Sequence, residues 1–279
     1  MERNGPSRTA IGTAVHRAAH LVLDEDPKIF VDPFARAFAG YASDAEMLQA
    51  IVSVEMIEFP RMRAVFNVRS RYAEDELDSA ITRGIDQYVI LGAGLDSFAY
   101  RRCDLVASLN VFEVDHPASQ AWKRARVAEL GIAAPTHLHH ISIDFEHQTL
   151  AEGFAESIVD FGKPVFLSLL GVTQYLTIDA TVRMLCDVAT TTAPGSELVF
   201  QFVQPPATLA RDEAALVTAF AERNGAAGEP WLSYSSRRRW NATFLLPASA
   251  ESCISARRKR RNATCEAVVT GCACRPTFP

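Results

Sequence analysis

The first 85 residues place apolar side chains three and four positions apart, which is the spacing of one helix face. These positions include Ala14, Ala18, Leu21, Val22, Met47, Ile51 and Val54. Asp32-Pro33 is a typical helix start, because an aspartate can cap and a proline fits the first helical position. A further helix is expected over residues 69–83, ending at Gly84. The pattern predicts an all-helical N-terminal extension of about four segments.

From Asp86 the pattern changes to short apolar runs separated by polar, helix-compatible stretches. The runs are rich in β-branched and aromatic residues, as strands are, and they cover residues 88–91, 109–114, 137–143, 165–169 and 198–203. Strands that alternate with helices pair in parallel through right-handed crossovers. The sequence therefore predicts an α/β protein with a doubly wound, Rossmann-like sheet, whose ligand lies outside the carboxyl ends of the strands.

Composition and charge change this picture at the C-terminal end. The chain has 279 residues, 48% of them hydrophobic, and a formal charge of -5, which is typical of a globular protein. Residues 235–279, however, contain nine Lys or Arg against two Asp or Glu, together with four of the six cysteines. We divide the chain into a helical extension (1–85), an α/β domain (86–234) and an atypical basic, cysteine-containing tail (235–279) that we expect to be poorly ordered.

Three interpretations of this tail remain open. The cysteines could bind zinc, but their spacings fit no standard site. The basic runs could bind nucleic acid, but only Trp240, Phe244 and Phe278 provide aromatic rings. A reading-frame change in the gene is favoured, because composition, charge and periodicity shift at one point. We therefore expect neither a metal site nor a nucleic-acid partner.

The chain offers no signal for membrane attachment or export. No apolar run approaches the ~18 residues that a membrane span needs, and the N-terminus is polar without an apolar segment behind it. We expect a cytoplasmic protein.

A loop with two glycines, Gly92-Ala-Gly-Leu-Asp-Ser97, follows the first predicted strand. Glycines let a backbone approach a ligand closely. The next strand ends in Asp115, 21 residues after Gly94, near the spacing at which a carboxylate meets a ribose diol. After the third strand, Asp144-Phe145 offers a carboxylate to the amine of adenine and an apolar face to its ring. Three successive strand ends thus predict one nucleoside pocket.

Each element of this pocket also has a simpler interpretation. Glycine is common in turns, and Asp115 and Asp144 could each cap the helix that follows. The occurrence of all three in the right order favours the pocket.

Several separated motifs give the chain a family resemblance over residues 7 to about 234. It resembles the leucine carboxyl methyltransferase-like family of S-adenosylmethionine enzymes, particularly its actinobacterial branch. The matching stretches are Ser7–Ala10, Arg17–Ala19, Asp32-Pro33, Arg69–Tyr72, Tyr88–Arg101, Phe112–Pro117, Asp144-Phe145 and Gly171–Leu176. The resemblance implies a class I methyltransferase sheet, with S-adenosyl-L-methionine as cofactor and a helical extension that forms part of the lid over cofactor and substrate.

The resemblance also implies roles for individual residues. Gly92 and Gly94 would line the methionine part of the cofactor, with Asp96 as a further cofactor contact of the same loop. Arg71 would meet the methionine carboxylate, to which an arginine is a charge-assisted partner. The remaining implied contacts are Asp115 with the ribose and Asp144 and Phe145 with the adenine.

Two departures from the family pattern bear on function. Relatives that methylate protein carboxyl termini have a glutamate where this chain has Leu170, so one cofactor contact is expected to be missing and the acceptor need not be a peptide. The resemblance also stops near Tyr234, where the family continues with a helix and two strands.

The sequence thus predicts a methyltransferase, with O-methyl transfer to a carboxylate or hydroxyl of a small molecule. Such a displacement needs alignment more than acid or base help, and a carboxylate is already a nucleophile, whereas a hydroxyl needs a base. The candidates His116, His139, His140 and Tyr175 leave the catalytic residue unassigned. One alternative is an NAD-dependent oxidoreductase, although Ser97 replaces the third glycine of that fingerprint. The other is a cofactor-binding protein that has lost catalysis.

Overall fold

The computed structural model describes residues 7–53, 60–240 and 267–271. Their contacts divide the chain into two compact units, each assembled from two separate stretches of sequence. The first unit comprises Met1–Asp86 and Gly92–Ser142, and the second comprises Gln87–Leu91 and Ile143–Pro279.

Four helices form the N-terminal part of the first unit, as the apolar spacing predicts. They are α1 (Arg8–Leu23), α2 (Ala35–Phe38), α3 (Asp44–Ser53) and α4 (Pro60–Thr82). The side chain of Ser7 accepts a hydrogen bond from the Ala10 amide at 3.2 Å and caps α1. The helix α1 packs against the other three, and Ala14, Val15 and Met47 are buried between them. The predicted apolar position Val54 lies outside the described residues.

Two helix boundaries differ from the predictions. The helix α4 begins at Pro60 instead of residue 69, and it ends before Gly84, which has the positive φ of a helix terminus, +98°. Asp32 does cap, because its Oδ1 accepts from the amides of Phe34 and Ala35 at 3.1 and 3.0 Å. The helix α2 nevertheless begins at Ala35, so Pro33 lies in the preceding turn.

The rest of the first unit alternates helices with parallel strands. It contains α5 (Phe98–Arg101), β2 (Asn110–Asp115), α6 (Pro117–Glu129) and β3 (Leu138–Ser142). The strands β2 and β3 pair in parallel from Val111 opposite Leu138 to Asp115 opposite Ser142. The apolar side chains of Leu95 and Tyr100, on either side of the start of α5, join the core that α1 forms.

The second unit contains the remaining strands. They are β1 (Gln87–Leu91), β4 (Phe166–Leu169), β5 (Glu197–Phe202) and β6 (Ala267–Gly271). They pair in parallel in the order β1-β4-β5-β6. The helices of this unit are α7 (Leu150–Phe154), α8 (Ile178–Thr191) and α9 (Arg211–Ala226). After β3 the chain thus returns to place β4 beside β1, although 74 residues separate the end of one strand from the start of the other.

Strands β1 to β5 match the five predicted runs to within about a residue, and they alternate with helices, which confirms the α/β class. Parts of the 235–279 tail are described: Trp240 is buried, with its ring 5.6 Å from that of Phe200, and residues 267–271 form β6. Most of the tail, including Cys253, Cys265 and the basic run 257–261, lies outside the described residues. Its expected disorder therefore stays a prediction. No helix in the described part of the chain is long and apolar enough to cross a membrane.

Candidate active site

The glycine loop joins β1 to α5 and is held against the end of β2. The amides of Gly92 and Ala93 both donate to the Val114 carbonyl, at 2.8 and 3.1 Å. Gly92 and Gly94 have φ values of +74° and +51°, which a residue with a Cβ adopts only at a cost. The Asp96 carboxylate accepts from the Phe98 amide at 2.7 Å and so fixes the start of α5. The two glycines are therefore required by the path of the backbone.

Asp115, at the end of β2, binds this loop directly. Its Oδ2 accepts from the Gly94 amide at 2.5 Å, and its Oδ1 accepts from the amide of His116 at 2.7 Å. Burial raises the pKa of the Asp115 carboxyl, while the two amide hydrogen bonds oppose that rise. The N-cap residue of α6 is His116, whose Nδ1 accepts from the Ala118 amide at 3.2 Å. Asp115 is thus not the N-cap of that helix, and its carboxylate lies beside Gly94. Its contact with a ribose stays a prediction.

Arg17, a buried arginine of α1, contacts the loop although it lies 78 residues before Leu95 in the sequence. Arg17 donates through Nε to the Asp32 carboxylate at 2.8 Å and through Nη2 to the Leu95 carbonyl at 2.7 Å. Burial acts against ionisation of Asp32, but Arg17 and Arg101 hold the pKa of its carboxyl below the ordinary value. The motif residues Arg17 and Asp32 are therefore structural partners of the glycine loop, a role that sequence reasoning did not assign.

Arg101, on α5, links the loop to α4. Its guanidinium donates to both carboxylate oxygens of Glu74, and its Nε donates to the Ser97 hydroxyl at 2.8 Å. Burial raises the pKa of the Glu74 carboxyl, and the Arg101 hydrogen bond opposes the rise. The Ser97 side chain, at the position of the third dinucleotide glycine, is thus buried and engaged by an arginine.

A buried ion pair between Lys123 on α6 and Glu113 on β2 also contacts the loop. Lys123 Nζ lies 2.6 Å from Glu113 Oε2 and also donates to the Asp96 carbonyl at 2.5 Å. Burial raises the pKa of Glu113 to about 7, with Lys123 opposing the rise. His140 on β3 lies 3.7 Å from Glu113, and burial lowers its pKa to about 4. Sequence reasoning does not predict this pair, since Glu113 stands among the apolar residues Val111, Phe112 and Val114.

Arg71 lies on the surface of α4 and forms an ion pair within that helix. Its Nε donates to the two carboxylate oxygens of Asp75 at 2.7 and 2.9 Å, and more than half of its side chain is exposed. The structure therefore gives Arg71 a partner one helical turn away. Its contact with a cofactor stays a prediction.

Asp144 and Phe145 belong to the second unit and occupy a turn after β3. Asp144 accepts from the amide of Glu146 at 3.0 Å and lies 2.9 Å from the His147 ring nitrogen. The N-cap residue of α7 is Thr149, so Asp144 does not cap that helix. The side chains of Asp144, Glu146 and His147 lie within 4.8 Å of one another, but they are largely exposed and give no basis for a metal site. The adenine contact stays a prediction.

The histidine and tyrosine candidates have structural partners. His116 caps α6, and the ring of His139 stacks on Phe112 with centroids 5.0 Å apart. His140 lies beside Glu113, and the Tyr175 hydroxyl accepts from the Asn224 amide group at 3.3 Å. These contacts single out no general base.

Comparison with known proteins identifies one matching family and several relatives. The sequence matches the family model for leucine carboxyl methyltransferase over residues 10–189. A candidate S-adenosyl-L-methionine-dependent methyltransferase of Bacillus subtilis is 35% identical over 170 residues, which are 59% of this chain and 54% of that protein. Another from Parafrankia is 34% identical over 208 residues, covering 71% of this chain and 63% of that protein. The chain thus spans between half and two thirds of the length of these relatives.

Two solved structures share the fold. A DUF574 family protein from Streptomyces avermitilis has a TM-score of 0.54 at 13% identity, covering 84% of this chain and 82% of that one. A candidate methyltransferase from Thermobifida fusca has a TM-score of 0.52 at 18% identity, covering 88% and 81%. At these identities the likeness concerns the fold, and it agrees with the doubly wound α/β sheet with N-terminal helices. With the family match covering well over half of the residues, the chain belongs to the leucine carboxyl methyltransferase family.

Proposed function

We propose that the protein transfers a methyl group from S-adenosyl-L-methionine to a carboxylate or hydroxyl of a small molecule. The observation that carries the proposal is the hydrogen bond between the Asp115 carboxylate and the Gly94 amide. It places an acidic side chain from the end of one strand against a glycine loop that follows another, the arrangement that binds nucleosides in such sheets. Family membership supports the choice of cofactor, because the matched relatives bear its name.

The residues of the loop fit a ribose. Each carboxylate oxygen of Asp115 accepts one amide, at Gly94 and at His116, and each has a second acceptor site that a ribose hydroxyl can occupy. A Cβ added at Gly94 would lie 3.2 Å from the Cβ of Ala10, so the loop packs closely against α1 at this point. These features support cofactor contacts at Gly92, Gly94, Asp96 and Asp115, and we keep Arg71, Asp144 and Phe145 as further proposed contacts.

The protein's own contribution to the reaction is alignment. When bound, the cofactor would supply an activated methyl group, because its positively charged sulfur is a good leaving group from the methyl carbon. Asp115 and the loop hold the donor in place, and the helices of residues 1–85 form part of the lid that excludes water. The anchoring of Leu95 by Arg17 supports that lid role, because it joins α1 to the loop.

Two features support the proposed acceptor. A carboxylate acceptor needs no general base, which agrees with a set of histidines engaged in structural contacts. Leu170 stands where peptide-methylating relatives have a glutamate, so we propose a small-molecule acceptor in the cytoplasm rather than a protein terminus.

An NAD-dependent oxidoreductase is not favoured. The third glycine of that fingerprint allows close packing of the helix on the strand, whereas this chain has Ser97 there, with its hydroxyl bound to Arg101. Calorimetric titration of the full chain with S-adenosyl-L-methionine and with NAD tests the choice of cofactor. We expect S-adenosyl-L-methionine to bind more tightly, and tighter binding of NAD would overturn the proposal.

Catalysis needs a second experiment. Incubation with cofactor labelled in its methyl group and a panel of small carboxylic acids and phenols should yield a labelled product. Binding of the cofactor without transfer to any acceptor would instead support a protein that has lost catalysis.

A further inference from the structure

Two consecutive carbonyls of the glycine loop each accept a hydrogen bond from a buried cation. Arg17 Nη2 donates to the carbonyl of Leu95 at 2.7 Å, and Lys123 Nζ donates to the carbonyl of Asp96 at 2.5 Å. The two cations come from helices on opposite sides of the loop in the sequence, α1 and α6. The backbone that follows Gly94 is therefore fixed by two side chains that the loop itself does not contain.

Each cation is neutralised by its own buried carboxylate. Arg17 pairs with Asp32 at 2.8 Å and Lys123 with Glu113 at 2.6 Å, and every one of these four side chains is less than a tenth exposed. Burying a charge is costly unless it is paired and hydrogen-bonded. Both cations use a carboxylate to satisfy that need and direct a remaining donor at the loop. The same arrangement, a buried ion pair whose cation also binds a loop carbonyl, thus occurs twice at this loop.

The pinned carbonyls bear directly on the proposed ribose site. Leu95 and Asp96 follow Gly94 immediately, and Gly94 is the residue whose amide meets the Asp115 carboxylate. A held carbonyl fixes its own planar peptide unit, and this limits the φ and ψ rotations open to the short stretch between Gly94 and that unit. Release of either carbonyl would let the loop turn its Gly94 amide away from Asp115.

We propose that Arg17 and Lys123 are positioning residues for the cofactor loop, and this inference rests on the proposed function. They act through the loop, and they contact neither the cofactor nor the reacting atoms. They order the loop before the cofactor binds, and this reduces the conformational entropy that the loop loses on binding.

The test uses two variants that disturb the anchors separately. Lys123→Met combined with Glu113→Gln removes the donor to Asp96 without leaving a buried charge, which favours folding. Arg17→Lys keeps a charge near Asp32 but lacks the fork that reaches two acceptors. Arg126→Met is the matched control, because Arg126 also donates to a backbone carbonyl, that of Ala37 at 2.9 Å, but in α2 rather than in the loop.

Two measurements are made on the full chain at a temperature at which all variants are folded. Titration calorimetry gives the affinity for S-adenosyl-L-methionine, and amide hydrogen exchange of residues 92–98 reports order in the cofactor-free loop. We expect each anchor variant to bind about tenfold more weakly, because binding must then order a looser loop, and to exchange faster in the loop. The control should match the parent in both.

The outcomes separate this inference from the function on which it rests. Anchor variants that melt at lower temperature, yet keep the parental affinity and loop exchange, would show that the ion pairs only stabilise the fold, and the inference would be wrong. A parent chain that binds no S-adenosyl-L-methionine would refute the proposed function instead. Loop exchange in the cofactor-free variants would then still decide whether the two cations order the loop.

Discussion

The Asp24 carboxylate accepts two hydrogen bonds from the Arg63 guanidinium, at 2.8 and 2.6 Å. Asp24 is the C-cap residue of α1 and Arg63 lies in the first turns of α4, so this pair joins the two long helices of the N-terminal extension. The Arg63 hydrogen bonds, aided by His20, hold the pKa of Asp24 at about 2, against the opposing effect of burial.

Replacement of this carboxylate should therefore cost stability in a pH-dependent manner. A folded pKa below the unfolded one stabilises the protein at pH values above about 4, and the contribution is lost as the pH falls through about 2. We expect Asp24→Asn to lower the free energy of unfolding at pH 7 by about 1 to 2 kcal/mol, or roughly 2–8 °C in melting temperature. The difference from the parent should shrink between pH 4 and pH 2. Asp26→Asn, at a largely exposed carboxylate nearby, should have little effect at any pH.

Asp115→Asn tests the ribose site with little change of volume. The variant keeps one acceptor oxygen for a backbone amide but loses the charge and the second acceptor. Two charge-assisted hydrogen bonds of ~1.5 to 3 kcal/mol each are weakened, and with compensation by water we expect a ten- to thousandfold loss of affinity for S-adenosyl-L-methionine. Calorimetry and thermal melting are measured together. Parental affinity combined with a lower melting temperature would make Asp115 a purely structural residue.

Gly94→Ala tests how closely the loop is fitted to its surroundings. The φ of +51° costs an alanine roughly 1 kcal/mol, and its Cβ would crowd that of Ala10. Gly84→Ala is the matched control, because Gly84 also has a positive φ, +98°, but a Cβ there meets open space at the end of α4. Both variants should melt at lower temperature than the parent. Only Gly94→Ala should weaken cofactor binding, and equal affinities in the two variants would argue against a ligand at Gly94.

Arg71 and Asp75 provide a test of the proposed contact with the methionine carboxylate. If Arg71 leaves Asp75 to bind the cofactor, Arg71→Gln should reduce affinity by about tenfold. Asp75→Asn frees the same arginine, so it should leave affinity unchanged or raise it. An Arg71→Gln variant that binds as well as the parent would confine this residue to the ion pair of α4.

Much of the fold could be predicted from the sequence because its strands are short apolar runs between helix-compatible stretches. Tyr88–Leu91 and Leu198–Phe202 are recognisable from their β-branched and aromatic residues alone, and the structure confirms both. The sequence does not predict the start of α4, because residues 60–68 include Pro60 and four residues of low or moderate helix propensity. Local helix preference is therefore weak at a place where the structure nevertheless has a helix.

The anchors of the loop could not be predicted, because their pairing depends on distance in space rather than in sequence. Arg17 lies 78 residues before Leu95, and nothing in the spacing of α1 distinguishes it from a surface arginine. Glu113 stands between Phe112 and Val114 in a strand buried on both faces, so alternation gives no warning that a charge is inside. Asp115, by contrast, could be singled out from the sequence, because it lies at the end of a predicted strand.

The strand β1 is far in sequence from β4, the strand with which it pairs. Tyr88 lies opposite Phe166, so 78 further residues must be synthesised before this pair can form. At ~5–20 residues per second, translation needs roughly 4–16 seconds for that stretch. During this interval four apolar residues of β1, Tyr88–Leu91, lack their partner strand on the nascent chain. Separation of the polypeptide after Ser142 would likewise part β1 from β4, and the C-terminal fragment would lack the first strand of its own unit.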